Sequence, residues 1–341
     1  MSERLWQVSM SPHLRDGTST SNIMWTVFCA LLPQLALSAW VFGPRVLLLA
    51  GVGVGSAMLA EWAVRRAMGR PNTLADGSAA LTGLLLAYVL PPGVSLDLPF
   101  WGAVFAVCIA KQLFGGLGFN FFNPALMGRA FLAVGFPVAM TTAWVMPHFP
   151  DFLAALAGPD AVATATPLYV LKHAGLAEFT REFGGARGWA ALILGFRPGS
   201  IGETSPVLLL LGGGLLLYRR IITWHIPAAM LGAVALLAWV FGPAGWFTGP
   251  VLPHLFSGGL FLGAFFMATD YVTSPSRPMA KLIFGAGAGA LTMLIRLKGG
   301  YPEGVCYAIL LMNCLSPVLD DWIRPRRFAP PLPQCDPGKK P

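Results

Sequence analysis

Leu81-Thr82-Gly83-Leu84-Leu85-Leu86-Ala87 and Leu262-Gly263-Ala264-Phe265-Phe266-Met267-Ala268 decide the fold. Each lies in an apolar segment that is short for a bilayer: 78–92 stops at Pro91-Pro92 and 254–269 stops at Asp270, whereas a spanning helix needs about 20 apolar residues. Gly83 and Gly263 stand 180 positions apart, and the pairs Gly115-Gly116 and Gly299-Gly300, each following the next span, stand 184 apart. Similar elements at a near-constant offset, the second lying five spans after the first, run in opposite directions. Inverted repeats commonly place such broken helices at a central site. Chance likeness between Gly- and Leu-rich spans is the competing reading. Superposing the two halves separates the two, because an inverted pair needs an axis in the membrane plane.

Working outward, the rest of the chain is equally apolar. Of 341 residues, 55% are hydrophobic and 11% charged, with mean hydropathy +0.65; soluble domains carry about 25% charged residues. Candidate spans are 23–42, 46–64, 78–92, 98–114, 125–143, 204–218, 221–241, 254–269, 281–296 and 304–319. The expected fold is an all-α polytopic membrane protein of about ten helices in two inverted five-helix repeats. Its parts are a first transmembrane half (1–143), an extracytoplasmic loop (144–203), a second half (204–323) and a tail (324–341). Forty Gly and 29 Pro fit interrupted, closely packed membrane helices. The polar stretch from Met1 to Asn22 leads straight into a full span, which is not the pattern of a cleavable signal.

The net charge of +8 comes from basic residues gathered at span ends, such as Arg65-Arg66, Arg219-Arg220 and Arg324 to Arg327. Such clusters set membrane orientation and argue against nucleic acid as a partner. With the N-terminus inside, sixteen of the 23 Lys and Arg fall on the inner side and seven on the outer. Both termini are therefore expected in the cytoplasm and 144–203 outside, in the periplasm of a bacterium. Cys29, Cys108, Cys306, Cys314 and Cys335 form no C-x-x-C pair, and four lie in apolar runs. They read as buried thiols, with a cluster ligand at a partner interface as the alternative. His13, His148, His173, His225 and His254 are scattered and read as interfacial or surface residues. No metal-ligand spacing, phosphate loop, nucleophile elbow or dinucleotide glycine motif is present, so NAD binding would fall to a partner.

A few polar groups stand out. Gly199-Ser200-Ile201-Gly202-Glu203-Thr204-Ser205 could bring backbone N–H groups and hydroxyls to an anion, or simply start a helix with Thr204 or Ser205 as N-cap. Arg197 nearby reads as a phosphate partner or a surface charge. Asp270, beside Thr269, Thr273 and Ser274, is an acid at a broken helix and so a functional candidate. It reads as a cation ligand, or as a cap for the segment that follows. Asn120 and Asn123 add polar groups at the mouth of span 125–143, and Asn123 before Pro124 makes an N-cap. Lys111, near the inner end of its span, reads as snorkelling. The longest segment between spans holds Asp160-Ala161-Val162-Ala163-Thr164-Ala165-Thr166-Pro167-Leu168, where Pro167 biases Thr166 to extended geometry.

Several segments, in order and over nearly the whole chain, resemble RnfD of the RnfD/NqrB family. They are Ser11-Pro12-His13-Leu14-Arg15, Asp76-Gly77-Ser78, residues 111–125, Gly199 to Ser205, Phe266-Met267-Ala268-Thr269-Asp270 and Gly299-Gly300-Tyr301-Pro302-Glu303-Gly304. The NqrB branch is similar in Asn123-Pro124-Ala125-Leu126-Met127-Gly128-Arg129-Ala130-Phe131 and in Phe266 to Asp270, but usually carries a longer N-terminal region. An NqrB-type subunit of a sodium-pumping NADH:quinone oxidoreductase is the alternative within the family.

Asp160 to Thr166 resembles the family's Asp-x-x-Ser/Thr-Gly-Ala-Thr signature, at which a flavin transferase attaches FMN. Asp160, Ala165 and Thr166 match; Ala163 stands for Ser/Thr and Thr164 for Gly. The resemblance implies FMN on Thr166 through a phosphoester, with Thr164 as a rival acceptor and Asp160 read by the transferase. Gly199, Ser200, Gly202, Glu203 and Thr204 would wall the flavin pocket. Asn120, Asn123, Asp270 and Thr273 would form a second site for an ion or for the non-covalent riboflavin of the family. The implied function is that of a flavin-carrying subunit of an ion-translocating ferredoxin:NAD oxidoreductase in the bacterial inner membrane, coupled to Na+ or H+ movement. Its partners would be the other Rnf subunits, a flavin transferase and the lipid bilayer. A non-redox channel or solute transporter of urea-transporter-like architecture is the reading from another class.

Overall fold

The computed structural model describes residues 19–147, 165–242, 245–301 and 303–323. Ser11 to Arg15, Asp160, Thr164, Cys335 and the 324–341 tail lie outside these residues. Every candidate span contains helix. The first two are long: α1 (Thr20–Phe42), whose N-cap Ser19 accepts from Asn22 N, and α2 (Arg45–Ala67), whose last turn carries Arg65 and Arg66. These cations complement the negative end of the helix dipole. Between α1 and α2, Gly43 at φ 90° makes the tight turn that a side chain would resist.

Helix α3 (Ser78–Tyr88) is only 11 residues and buried along its whole length. Next come α4 (Asp97–Val107), continued by a π turn over Cys108–Gln112, then α5 (Pro124–Gly135) and α6 (Pro137–Thr142). The expected span 125–143 is thus broken at Phe136, where Gly135 and Pro137 interrupt the helical ladder. Segment 165–203, read as a loop, holds three short helices: α7 (Pro167–His173), α8 (Gly175–Phe183) and α9 (Ala186–Leu194). They share a small core of Val170, Phe179, Phe183 and Leu192, against which Leu171 and Trp189 pack.

The second half begins with α10 (Pro206–Tyr218) and α11 (His225–Val240). A short antiparallel hairpin follows, β1 (Phe241–Gly242) and β2 (Gly245–Trp246), with Phe241 opposite Trp246. The expected span 254–269 is split into α12 (Val251–Phe256) and α13 (Leu260–Leu262), the latter prolonged by a π turn over Gly263–Met267. The break falls at Ser257 and Gly258, the glycine lying at φ 78°. Two long helices close the fold, α14 (Pro278–Lys298) and α15 (Val305–Trp322).

Among the described helices, α1, α2, α14 and α15 are long and apolar enough to cross a membrane, with α3, α5, α10 and α11 as shorter apolar helices. Large apolar side chains such as Trp40, Leu47, Leu59, Leu211 and Leu294 face outward, as a bilayer demands and water would penalise. The chain is a multi-pass membrane protein. Cys29 and Cys314 also lie on exposed faces, correcting the expectation of buried thiols, whereas Cys306 is buried.

Close backbone approach holds the short helices inside. A Cβ on Gly83 of α3 would stand 2.4 Å from the carbonyl oxygen of Gly53 in α2. Gly83→Ala is therefore expected to push α2 and α3 apart and to cost about 1–3 kcal/mol, the usual range for overpacking. It should lower the thermal midpoint of the purified protein. Gly51→Ala, where a Cβ meets nothing within 4 Å, should not.

Candidate flavin cavity and a second polar cluster

A cavity of about 560 Å3 lies where α5, α7, α13 and the start of α15 converge. Thr166 lines it as N-cap of α7, at φ −70° and ψ 153°, its hydroxyl accepting the Tyr169 N–H at 3.3 Å. Pro167 takes the first helical position, so the extended geometry expected of Thr166 is found. A threonine in a loop between spans would be expected to stand open to solvent, but Thr166 is 5% exposed. The local reason is its cap role, which turns the side chain toward α7 and the cavity rather than outward.

Of the predicted pocket wall, Ser200 and Glu203 reach the cavity. Gly202 and Thr204 instead hold the 199–205 loop onto the bundle. A Cβ on Gly202 would meet the Tyr88 Cβ at 2.6 Å, and Thr204 Oγ1 lies 2.7 Å from Ser38 Oγ. Gly199 leaves room for the Glu203 carboxylate, whose Oε2 would stand 3.2 Å from an added Cβ. Ser205, not Thr204, caps α10 by accepting from Leu208 N.

Glu203 is buried, and its Oε1 has no hydrogen-bond partner among the described residues. Burial, reinforced by the neighbouring Glu303 carboxylate, pushes its carboxyl up to about 8, against the pull of Arg197, Ser200 and Arg129. Arg197 is a buried group rather than a surface charge: it is 3% exposed and gives Nη2 to the Glu203 carbonyl at 3.4 Å.

The cavity also holds residues that sequence reasoning missed. Arg129 on α5 pairs with Glu303, just before α15, at 2.6 Å. Trp144, Tyr169, His173, Tyr301 and Tyr307 supply aromatic surface, with Tyr169 and His173 rings 4.4 Å apart. Arg129 could have been suspected, since a charge inside a span is expensive and usually paired.

On the far side of the fold, Ser78, Lys111, Asn120, Asn123 and Asp270 line a small cavity of about 60 Å3. Asp270 accepts from Thr273 Oγ1 at 3.2 Å. Asn123 caps α5 through Oδ1, as expected, and gives Nδ2 to the Met267 carbonyl at 3.2 Å. That volume suits waters or an ion and falls below the roughly 300–1,000 Å3 of pockets for organic ligands. Lys111 does not snorkel: it is 1% exposed and its Nζ donates to both Glu61 oxygens, at 2.9 and 3.1 Å, and to Ser78 Oγ at 2.6 Å. The π turn that carries it aims the side chain inward. His254, expected near a surface, is also buried.

Residues 7–329 match the family model described as the NQR2, RnfD, RnfE family. The chain belongs to this family. It is 48% identical over 329 residues to the D subunit of the proton-translocating ferredoxin:NAD(+) oxidoreductase complex of Clostridium ljungdahlii, covering 96% of this chain and 97% of that one. It is 42% identical over 335 residues to the D subunit of the Na(+)-translocating ferredoxin:NAD(+) oxidoreductase complex of Acetobacterium woodii, covering 96% and 97%. Against the D subunit of the ion-translocating oxidoreductase complex of Stutzerimonas stutzeri the identity is 43% over 335 residues, covering 92% and 93%. The resemblance to RnfD is borne out.

The segments that resembled the NQR2, RnfD, RnfE family now have places. Segment 199–205 supplies Ser200 and Glu203 to the large cavity, 123–131 supplies Arg129, and 299–304 supplies Tyr301 and Glu303. Segment 111–125 supplies Lys111, Asn120 and Asn123 to the small one. Family motifs far apart in sequence thus meet at two sites.

Proposed function

We propose that this chain is the flavin-carrying integral membrane subunit of an ion-translocating ferredoxin:NAD oxidoreductase of the Rnf type, with FMN joined by a phosphoester to Thr166. One observation carries the reading: Thr166 stands at the wall of a cavity of organic-ligand size with aromatic sides and a paired arginine. The residues present fit the group. Tyr169, Tyr301, Tyr307 and Trp144 offer faces for a flat ring; Arg129, held by Glu303, contributes a fixed positive charge; the surrounding helices limit water. FMN would supply one- and two-electron transfer, and the protein its position and electrostatic surroundings.

The relatives named above belong to complexes named for proton and for sodium transport, so the coupled ion of this chain stays open between the two. The small cavity beside Asp270, Asn120 and Asn123, with Thr273 behind it, is the proposed ion site. The chain would work in the bacterial inner membrane with other Rnf subunits, after maturation by a flavin transferase, with both termini cytoplasmic and the α7–α9 side periplasmic. Taking the buried Lys111, Arg197 and Arg296 and the half-buried, paired Arg129 out of the charge count leaves the inner excess of cations intact.

The two halves are read as inverted repeats. A likeness between the fourth spans of the two halves supports this. Lys111, at the end of α4, binds Ser78 at the start of α3. Arg296, near the end of α14, binds the carbonyls of His254 and Ser257 just before α13.

The test is chemical. Produced with a flavin transferase, the wild-type protein is expected to give a fluorescent band after denaturation and an intact mass raised by one flavin phosphate. Thr166→Ala should lose both completely. A dark wild-type band would favour the channel reading, and an adduct surviving in Thr166→Ala would move the acceptor elsewhere, Thr164 first.

A further inference from the structure

A second cavity, of about 510 Å3, opens between α7, the β1–β2 hairpin and the ends of α12 and α14. The flavin reading makes no use of it. Its walls are apolar: Leu168 and Leu171 from α7, Leu297 from α14, Phe241 and Trp246 from the hairpin. The ionisable groups lining it are all basic. They are Lys172, His254, Arg296 and Lys298, without a carboxylate.

Its deep end is built rather than incidental. Arg296 is 3% exposed and fixed by its two bonds to the carbonyls of His254 and Ser257. Its Nε is buried with no hydrogen-bond partner among the described residues, and so is His254 Nδ1. Two buried nitrogens are thus left without partners, one of them a guanidinium donor, and orphaned buried polar atoms call for a ligand or water. At the mouth, Trp246 and Phe241 are exposed, their rings 5.5 Å apart. Lys298 is the last residue of α14, a helix of membrane-crossing length. The mouth therefore sits where acyl chains give way to headgroups, the level that Trp and Lys favour.

We propose that this cavity binds an anionic phospholipid from the leaflet on the α7 side, with its phosphate held by Arg296 and Lys298 and an acyl chain along Leu297, Leu171 and Phe241. Basic pockets between membrane helices suit anionic headgroups. A zwitterionic headgroup would bring an ammonium that finds no carboxylate here. An acidic protein segment would meet the same charges, but its backbone N–H and C=O groups would lie unpaired against apolar walls. The site also has a structural consequence. Lys172 already ties α7 to the carbonyls of Ile295, Gly299 and Tyr301, and a lipid against Leu168 would brace the helix that begins at Thr166.

The experiment uses the full-length protein with the subunits that remain bound to it. After detergent washing, native mass spectrometry should show phosphatidylglycerol retained at least tenfold more tightly than phosphatidylcholine. Lys298→Glu, an exposed change that removes one attraction and adds one repulsion, should weaken that retention about tenfold or more. A photoreactive residue placed at position 246 should capture lipid. Equal retention of both lipids, retention unchanged in Lys298→Glu, displacement by inorganic phosphate alone, or capture of a protein segment at position 246 would each overturn the proposal.

Discussion

Lys111→Met is expected to destabilise the fold by about 3–5 kcal/mol, the cost of leaving one member of a buried ion pair behind. Lys111 and Glu61 are 2.9 Å apart, with side chains 2% and 1% exposed. The pair is embedded in further bonds. Gln112 Nε2 and Thr73 Oγ1 donate to Glu61 Oε1 at 2.8 and 2.9 Å, and Ser78, which accepts from Lys111, donates in turn to Asp76 at 2.5 Å. Without Lys111, Glu61 keeps two neutral donors and loses its counter-charge in a setting where water cannot replace it. The start of α3 loses its anchor at the same time, so α2, α3 and α4 should loosen together.

A second variant separates the ion pair from packing. When both members of a buried pair become apolar, most of the penalty disappears, because no orphaned charge remains. Glu61→Leu combined with Lys111→Met should therefore be more stable than Lys111→Met alone, and thermal midpoints of the three proteins in the same lipid nanodisc measure it. If Lys111→Met melts with the wild type, water reaches the pair and the cluster is not a sealed one.

Much of this was legible in the sequence, for reasons that vary by element. The long helices announce themselves by apolar length, and the short α3 and α13 by Pro91-Pro92 and Asp270 closing their segments. The break of 125–143 was written in Gly135 and Pro137, yet apolar residues on both sides masked it. Helices α7 to α9 were missed because each is short, 7 or 9 residues, and their apolar residues pack on one another, which hydropathy at membrane scale does not register. The partner of Lys111 was illegible for another reason. A lysine near a span end looks the same whether it reaches water or a carboxylate 50 residues away, and only the rotation of α2 against α4 decides. Arg129 and Glu303 are further apart still in the chain. Thr166 could be singled out because its signature is local, whereas Gly202 and Thr204 were misplaced because a loop has two sides and the sequence does not say which faces the cavity.

Glu203→Gln should change how stability depends on pH. Buried beside Glu303, Glu203 holds its proton up to about pH 8 in the folded protein, while in an unfolded chain it ionises near its ordinary value of 4.5. Between those values the folded state binds a proton that the unfolded state has released, so stability falls as pH rises through the window. Below it both states are protonated and Glu203 contributes no pH dependence. Above it the folded protein bears the full cost of an ionised buried carboxylate. One such group contributes a slope of at most about 1.4 kcal/mol per pH unit. The charged groups around it are Arg129 on α5, Arg197 after α9, Arg296 on α14 and Glu303 before α15; the arginines favour the carboxylate and narrow the pH window, while burial and Glu303 widen it. Glutamine stays neutral at every pH and preserves the shape. Thermal midpoints from pH 5 to 9 should therefore decline less steeply in Glu203→Gln than in the wild type, with the two curves close together at pH 5 and furthest apart above pH 8. Parallel curves would mean that Glu203 is already ionised across the range, stabilised by Arg197 and Arg129 more than burial and Glu303 oppose it. Steeper decline in the variant would place the titrating group elsewhere in the cavity.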